Sequence, residues 1–144
     1  MSKYSTNVTQ FKDKSLLILA LGELGFNIGD LEVNANAQQL YDYTGKATHY
    51  TDALGDRAEI IIRRKYVGSA ANDIGFRANA NGRYEAIISA FDRSSNGYNE
   101  QWLGRLTAAY ARQGVIAKMQ KQGYRYVPDS ARKNGKTELV FVQA

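Results

Sequence analysis

The chain has no cysteine, one proline, one histidine and one tryptophan among its 144 residues. Without cysteine there is no disulfide, thiolate metal site, iron–sulfur ligation or thiol nucleophile. The single histidine, His49, lies in a loop containing Thr, Asp and Gly, with no neighbour predicted to orient it as a triad base. A transition-metal site would then rest on carboxylates alone, and no EF-hand spacing, Walker glycine loop or dinucleotide fingerprint occurs. Long hydrophobic runs are missing too. The longest, Leu16 to Leu21, falls well short of the ~20 residues that cross a bilayer. The start, Met1-Ser2-Lys3-Tyr4-Ser5-Thr6, lacks the charged-then-apolar order of a secretory signal. These absences predict a non-enzymatic protein with no cofactor, no metal and no membrane association, located in the cytoplasm or an organelle matrix or stroma.

What is present predicts a folded chain. Hydrophobic residues make up 44% and charged residues 23%, a balance outside the disordered regime, and the length suits one domain over residues 1–144. Charge is divided unevenly. Residues 1–56 carry four Lys/Arg against seven Asp/Glu, a net −3, while residues 57–144 carry 15 against seven, a net +8. The basic second part predicts an anionic partner, whether nucleic acid, acidic protein or lipid surface; a merely solvated face has the same composition.

Periodicity predicts an α+β fold, an antiparallel sheet with two helices on one face. Alternation over Tyr4 to Val8 reads as a first strand. Asp13 can cap a helix from Lys14 to Leu24, whose Leu17, Ala20, Leu21 and Leu24 share a stripe and which Gly25-Phe26 ends. Short extended pieces around Ile28 to Val33 and Leu40 to Tyr43 follow, then a turn at Thr44-Gly45 and a mobile loop from Lys46 to Asp56. Arg57 to Val67 reads as a central strand, because Ile60, Ile61 and Ile62 in succession need apolar cover on both faces. Ile74 to Phe76 and Tyr84 to Phe91 form a hairpin across Asn79 to Gly82, and Ser94 to Gly97 a loop. Asn99 caps a long helix ending at Gln122, with Trp102, Leu103, Leu106, Ala109, Tyr110, Ile116 and Ala117 on its apolar face. Strands at Tyr124 to Val127 and Thr137 to Val142 close the chain around the turn dipeptide Asn134-Gly135.

The basic triplet Arg63-Arg64-Lys65 is the main candidate site. Strand alternation puts Arg64 with Ile60 and Ile62, toward the helices, where it needs a carboxylate, Asp73 or Glu85. Arg63 and Lys65 then point to an open sheet face, joined by Arg77 and by Arg83 at the hairpin end. Cations and aromatics on an open sheet are the platform on which single-stranded RNA stacks in several modules, although nothing matches the ribonucleoprotein consensus. The small-residue connection Gly68 to Gly75 reads as an anion cradle or, more simply, a crossing loop. Of ten tyrosines, Tyr98, Tyr110, Tyr124 and Tyr126 gather near the second helix, at a core margin or an interface.

The run Ala58 to Phe76, with Tyr84-Glu85-Ala86-Ile87-Ile88-Ser89 and Gln101-Trp102-Leu103, resembles the hypothetical chloroplast open reading frame thirty-five family. That family occurs in plastid genomes, cyanobacteria and other bacteria and is catalogued as a domain of unknown function. The resemblance is strongest from Ala58 to Leu103 and fades over 31–56 and beyond Pro128. It implies a compact small protein and no catalytic residue. It also implies an accessory role beside a ring-forming ATPase and a second small protein. The expected function is therefore an adaptor whose basic part docks an anionic macromolecule, through Arg63, Lys65, Arg77 and Arg83. The alternative is direct RNA or single-stranded DNA binding by the basic sheet face.

Overall fold

In a computed structural model, which describes residues 4–9, 11–49, 51–128 and 139–143, Asp13 caps the first helix by accepting the Leu16 N–H at 3.1 Å. This helix, α1, spans Lys14–Glu23 after strand β1 (Tyr4–Val8). Gly25 ends it at φ +104°, where only glycine is free of strain, and Phe26 returns its N–H to the Leu21 carbonyl. Phe26 then packs against Tyr98 and Trp102, with ring centroids 6.4 Å from each.

Five strands form one sheet in the order β1-β5-β4-β3-β2, every pair antiparallel. Strand β2 is Glu32–Gln39, β3 Arg57–Ile62, β4 Ile74–Ala78 and β5 Tyr84–Ser89. Ile60 and Ile62 face the helices as expected, in a core with Leu17, Leu21, Phe76, Ile88 and Leu106. The second long helix, Glu100–Lys121, begins at the expected cap, Asn99, which accepts the Trp102 N–H at 3.0 Å. It buries Trp102, Leu103, Leu106, Ala109 and Ile116, and Arg112 and Gln113 reach Glu23 of α1.

Three boundaries differ from expectation. Of the short extended pieces expected at 28–33 and 40–43, the first is a 3-10 turn over Ile28–Asp30 that leads into strand β2, and the second lies beyond the end of β2 at Gln39; the pairing of β2 with β3 shifts register between Val33 and Gln38. Strand β3 stops at Ile62, and Arg64–Val67 coils into a helical turn, α2. Strand β5 stops at Ser89, and Ala90–Ser95 is a helix, α3, which makes the long helix α4. Ser89 caps α3 by accepting the Asp92 N–H, while its own hydroxyl donates to Asp92 Oδ2 at 2.8 Å. Beyond α4, β6 (Tyr124–Val127) pairs with β7 (Val140–Gln143) in a separate two-stranded sheet. The turn expected at Asn134-Gly135 lies outside the described residues.

The face of the sheet away from the helices is not open. Leu40, Ala58, Ile61 and Ile87 are fully buried there. The segment expected as a mobile loop is laced down: Leu40 N–H donates to the Asp56 carbonyl at 2.8 Å, and Asp56 N–H to the Thr48 carbonyl at 2.8 Å. Gln39 Nε2 donates to the carbonyls of Leu40, Thr48 and Asp56. Gly75 makes this cover possible, since a Cβ there would lie 2.7 Å from Ala58 Cβ and 3.0 Å from Leu40 Cδ1. Gly75→Ala should therefore cost about 1–3 kcal/mol by overpacking, read as a lowered urea midpoint; an unchanged midpoint would mean that strand β3 at Ala58 and the Leu40 side chain can both move aside.

Candidate anion-docking surface

Where β3 leaves the sheet, Arg63 stays extended as the residue before α2, at φ −67° and ψ 149°. That turns its side chain back across β2. Its Nε and Nη2 form a fork on Glu32, each 2.7 Å from a carboxylate oxygen, and Nη1 donates to Asp73 Oδ2 at 2.8 Å and the Gln39 carbonyl at 2.9 Å. The guanidinium also lies 5.5 Å from the centroid of the Tyr41 ring. Hydrogen bonding from Arg63, opposed by burial, holds the Glu32 carboxyl below its ordinary value, and the same pairs hold the Arg63 guanidinium firmly protonated.

The expected ion pair of Arg64 with Asp73 or Glu85 is therefore corrected. Asp73, with 1% of its side chain exposed, pairs with Arg63, and Arg64 gives it only a backbone N–H, at 2.7 Å. Glu85 pairs with Arg77 at 3.3 Å. The alternation that would have turned Arg64 inward ends one residue earlier, because Asp73 captures the Arg64 amide and the chain coils.

Asn72 and Asp73 together clamp a second segment to this corner. Asp73 Oδ2 accepts the Tyr41 N–H at 2.8 Å and Asn72 Oδ1 the Tyr43 N–H at 2.9 Å. Asn72 is in turn held by Asp92, fully buried, whose Oδ2 accepts the Asn72 N–H at 3.1 Å and its side-chain amide at 3.3 Å. The polar connection thus works as a crossing loop whose side chains satisfy backbone donors, one of the two readings its composition allowed.

This bracing leaves Lys65 exposed and Arg64 half-buried at the margin. Among the described residues neither is in a salt bridge, and Lys65 Nζ rests 4.9 Å above the Tyr66 ring. Arg64 lies on the 42–46 turn, so close that a Cβ on Gly45 would be 3.3 Å from its Nη2. The two cations separate two shallow clefts. One, of about 160 Å³, is lined by Tyr41, Arg63, Arg64, Lys65 and Asp73. The other, of about 170 Å³, is lined by Tyr43, Arg64, Lys65, Gly68, Ala70 and Ala71.

The four cations expected to act together are not brought together. Arg63 is spent on Glu32 and Asp73, and Arg77 on Glu85 and the Thr51 hydroxyl. Arg83 sits past the far end of β4 from α2, since Ile62 pairs with Ile74 whereas Ala78 pairs with Tyr84. Of the four, Lys65 lines both clefts and Arg63 one of them, beside Arg64, which was expected in an ion pair, and Tyr41 and Tyr43, which sequence reasoning had not assigned to a site. Two of the tyrosines near α4 are half-buried against the core. Tyr98 donates to the Val67 carbonyl at 2.8 Å, its phenol pKa raised by burial, and the Tyr110 hydroxyl accepts the N–H groups of Lys12 and Asp13. His49 is exposed, and among the described residues no group of acidic or histidine side chains could hold a metal ion.

Residues 20–140 match the model of a family described as protein of unknown function (DUF1257). The chain belongs to this family. No curated protein and no solved structure matches it. The matched DUF1257 region takes in Glu32, the Tyr41–Tyr43 segment, the basic triplet, Asn72, Asp73 and Asp92, so both clefts and the hydrogen bonds that brace them lie within it. No helix among the described residues is long and apolar enough to cross a membrane.

Proposed function

We propose that this DUF1257 chain is a non-enzymatic accessory protein, located in the cytoplasm or an organelle matrix, that docks an anionic macromolecule through Arg64 and Lys65. In the same reading it is a relative of hypothetical chloroplast open reading frame thirty-five and works beside a ring-forming ATPase and a second small protein. The observation that carries the docking site is the division of labour in the basic triplet. Arg63 is neutralised by two carboxylates, whereas its two neighbours have no acidic partner among the described residues and border the clefts. Cations held at fixed positions without counter-charges attract an anionic surface and set its register.

Binding of labelled oligonucleotide and of polyglutamate, measured by fluorescence anisotropy, tests this reading. Arg64→Glu with Lys65→Glu should weaken retention of both polyanions roughly tenfold or more, because two attractions become repulsions. The same reversal at the exposed Arg105 and Lys118 of α4 should change little. Melting temperature should hold for both double variants, since surface charge changes usually move stability by less than about 0.5 kcal/mol. Equal losses from the two reversals would mean that net charge alone does the binding, and the assignment to Arg64 and Lys65 would be abandoned.

A further inference from the structure

Resting on that docking reading, we infer that the anionic partner is single-stranded nucleic acid, with Tyr43 as the platform for one base and Arg64 and Lys65 as the contacts to its flanking phosphates. Three features of the corner point to this occupant.

Tyr43 is 59% exposed, yet its backbone is fixed. Its N–H is held by Asn72 Oδ1, and the turn around it is closed by Asp42, whose Oδ1 accepts from the Thr44 N–H, the Thr44 hydroxyl and the Lys46 N–H. A wet aromatic ring on a preorganised turn offers a π-face that loses little freedom when something lies on it.

The cleft beside that ring has the size and lining for one planar group. At about 170 Å³ it is well below the ~300–1,000 Å³ of sites that engulf a small molecule, so it suits a single side group of a polymer. Its other walls are Gly68, Ala70 and Ala71, with no bulky side chain to refill it. Ala70 keeps a left-handed φ of +52°, a conformation that an L residue adopts at a cost and that is over-represented at binding sites.

Charge then separates the candidates. Of the nearby acids, Glu32 and Asp73 are taken by Arg63 and Asp42 by its own turn, which leaves Arg64, Lys65 and the exposed Lys46 facing outward. An acidic peptide would use these cations but has nothing that requires an exposed ring above a small-residue floor. A single strand uses both, its phosphates on the cations and a base on the ring.

The test compares Tyr43→Ala, Tyr43→Phe and Arg64→Glu/Lys65→Glu with wild type, by anisotropy, on labelled 12-mers of oligo(dT) and oligo(U), a 12-base-pair duplex, and polyglutamate. Loss of one stacked base should weaken both single strands roughly 5- to 150-fold in Tyr43→Ala, and Tyr43→Phe should restore them. Duplex and polyglutamate affinities should not respond to position 43, since neither offers an unstacked base. If Tyr43→Ala leaves the single strands unchanged while the charge reversal weakens every polyanion, the nucleic-acid assignment falls and the docking surface stands, with an acidic protein as its partner. If the reversal also has no effect, both fall.

Discussion

Asp92→Ala should lower the stability of this protein by about 4 kcal/mol, most of what holds together a domain at the weak end of the usual range. The carboxylate is fully buried and is the acceptor for four groups: the Asn72 N–H and side-chain amide, the Ser89 hydroxyl, and the Asn96 side-chain amide at 2.8 Å. Alanine leaves the buried Asn72 and Ser89 donors and the half-buried Asn96 amide without their acceptor, and each such loss costs about 1–3 kcal/mol, partly recovered where a hydroxyl can rotate or water can enter. The urea midpoint should fall by about 2 M for a slope typical of this size. Because Asn72 also holds the Tyr43 N–H, whatever folded protein remains should bind single strands more weakly, although Asp92 touches neither cleft. A midpoint within experimental error of wild type would show that the Asn72–Ser89–Asp92 cluster tolerates rearrangement and does not brace the corner.

Arg63→Ala should cost about 3 kcal/mol, the low end for breaking a buried ion pair, because the amides of Tyr41 and Arg64 still reach Asp73. It leaves a carboxylate with 1% of its side chain exposed facing the gap where a guanidinium stood, and it frees Glu32 from its fork. The pH dependence supplies a second readout. Since the folded-state pKa of Glu32 is depressed below its ordinary 4.5, its stabilising contribution is present above that value and disappears as pH falls through the folded pKa. That portion of the acid sensitivity should be absent from Arg63→Ala. Arg64→Ala, by contrast, should keep the wild-type urea midpoint, because its side chain has no salt bridge among the described residues. The opposite order, a stable Arg63→Ala and an unstable Arg64→Ala, would return the structural role to Arg64.

Most of the frame was legible in the sequence. Helices α1 and α4 announce themselves through caps at Asp13 and Asn99, apolar stripes and terminal glycines, and the β4–β5 hairpin through alternation around Asn79 to Gly82. The expected errors of reading sit where a distant partner overrides the local pattern. Residues 63–67 look like more strand, yet Asp73, nine residues beyond Arg64, takes the Arg64 amide and starts a helical turn. Apolar residues on both sides of Ser89, Ile87 and Ile88 before it and Ala90 and Phe91 after it, mask the Ser89-x-x-Asp92 capping signal, which was present to be read.

The site was less legible, for a related reason. Three adjacent cations are equivalent in sequence. Which of them is structural depends on Glu32, 31 residues before Arg63, and on the coil that turns Arg64 and Lys65 outward. The second sheet face was expected to be open because the 40–56 stretch has weak periodicity. Its cover instead rests on Leu40, on the Gln39 side-chain amide and on backbone hydrogen bonds among Leu40, Thr48 and Asp56, which leave no hydrophobic pattern to detect. The alternation Tyr41-x-Tyr43 beside Thr44-Gly45 was the one local sign that this stretch carries exposed rings on a fixed turn.

The most direct measurement is the salt dependence of oligo(dT) affinity for Arg64→Gln/Lys65→Gln, made on protein whose urea midpoint matches wild type. Removal of two phosphate contacts should make the slope of log K against log salt shallower by about 1.4, at roughly 0.7 per contact on a single strand. An unchanged slope on a normally folded variant would contradict the claim that these two side chains, freed by the capture of Arg63, are the docking contacts.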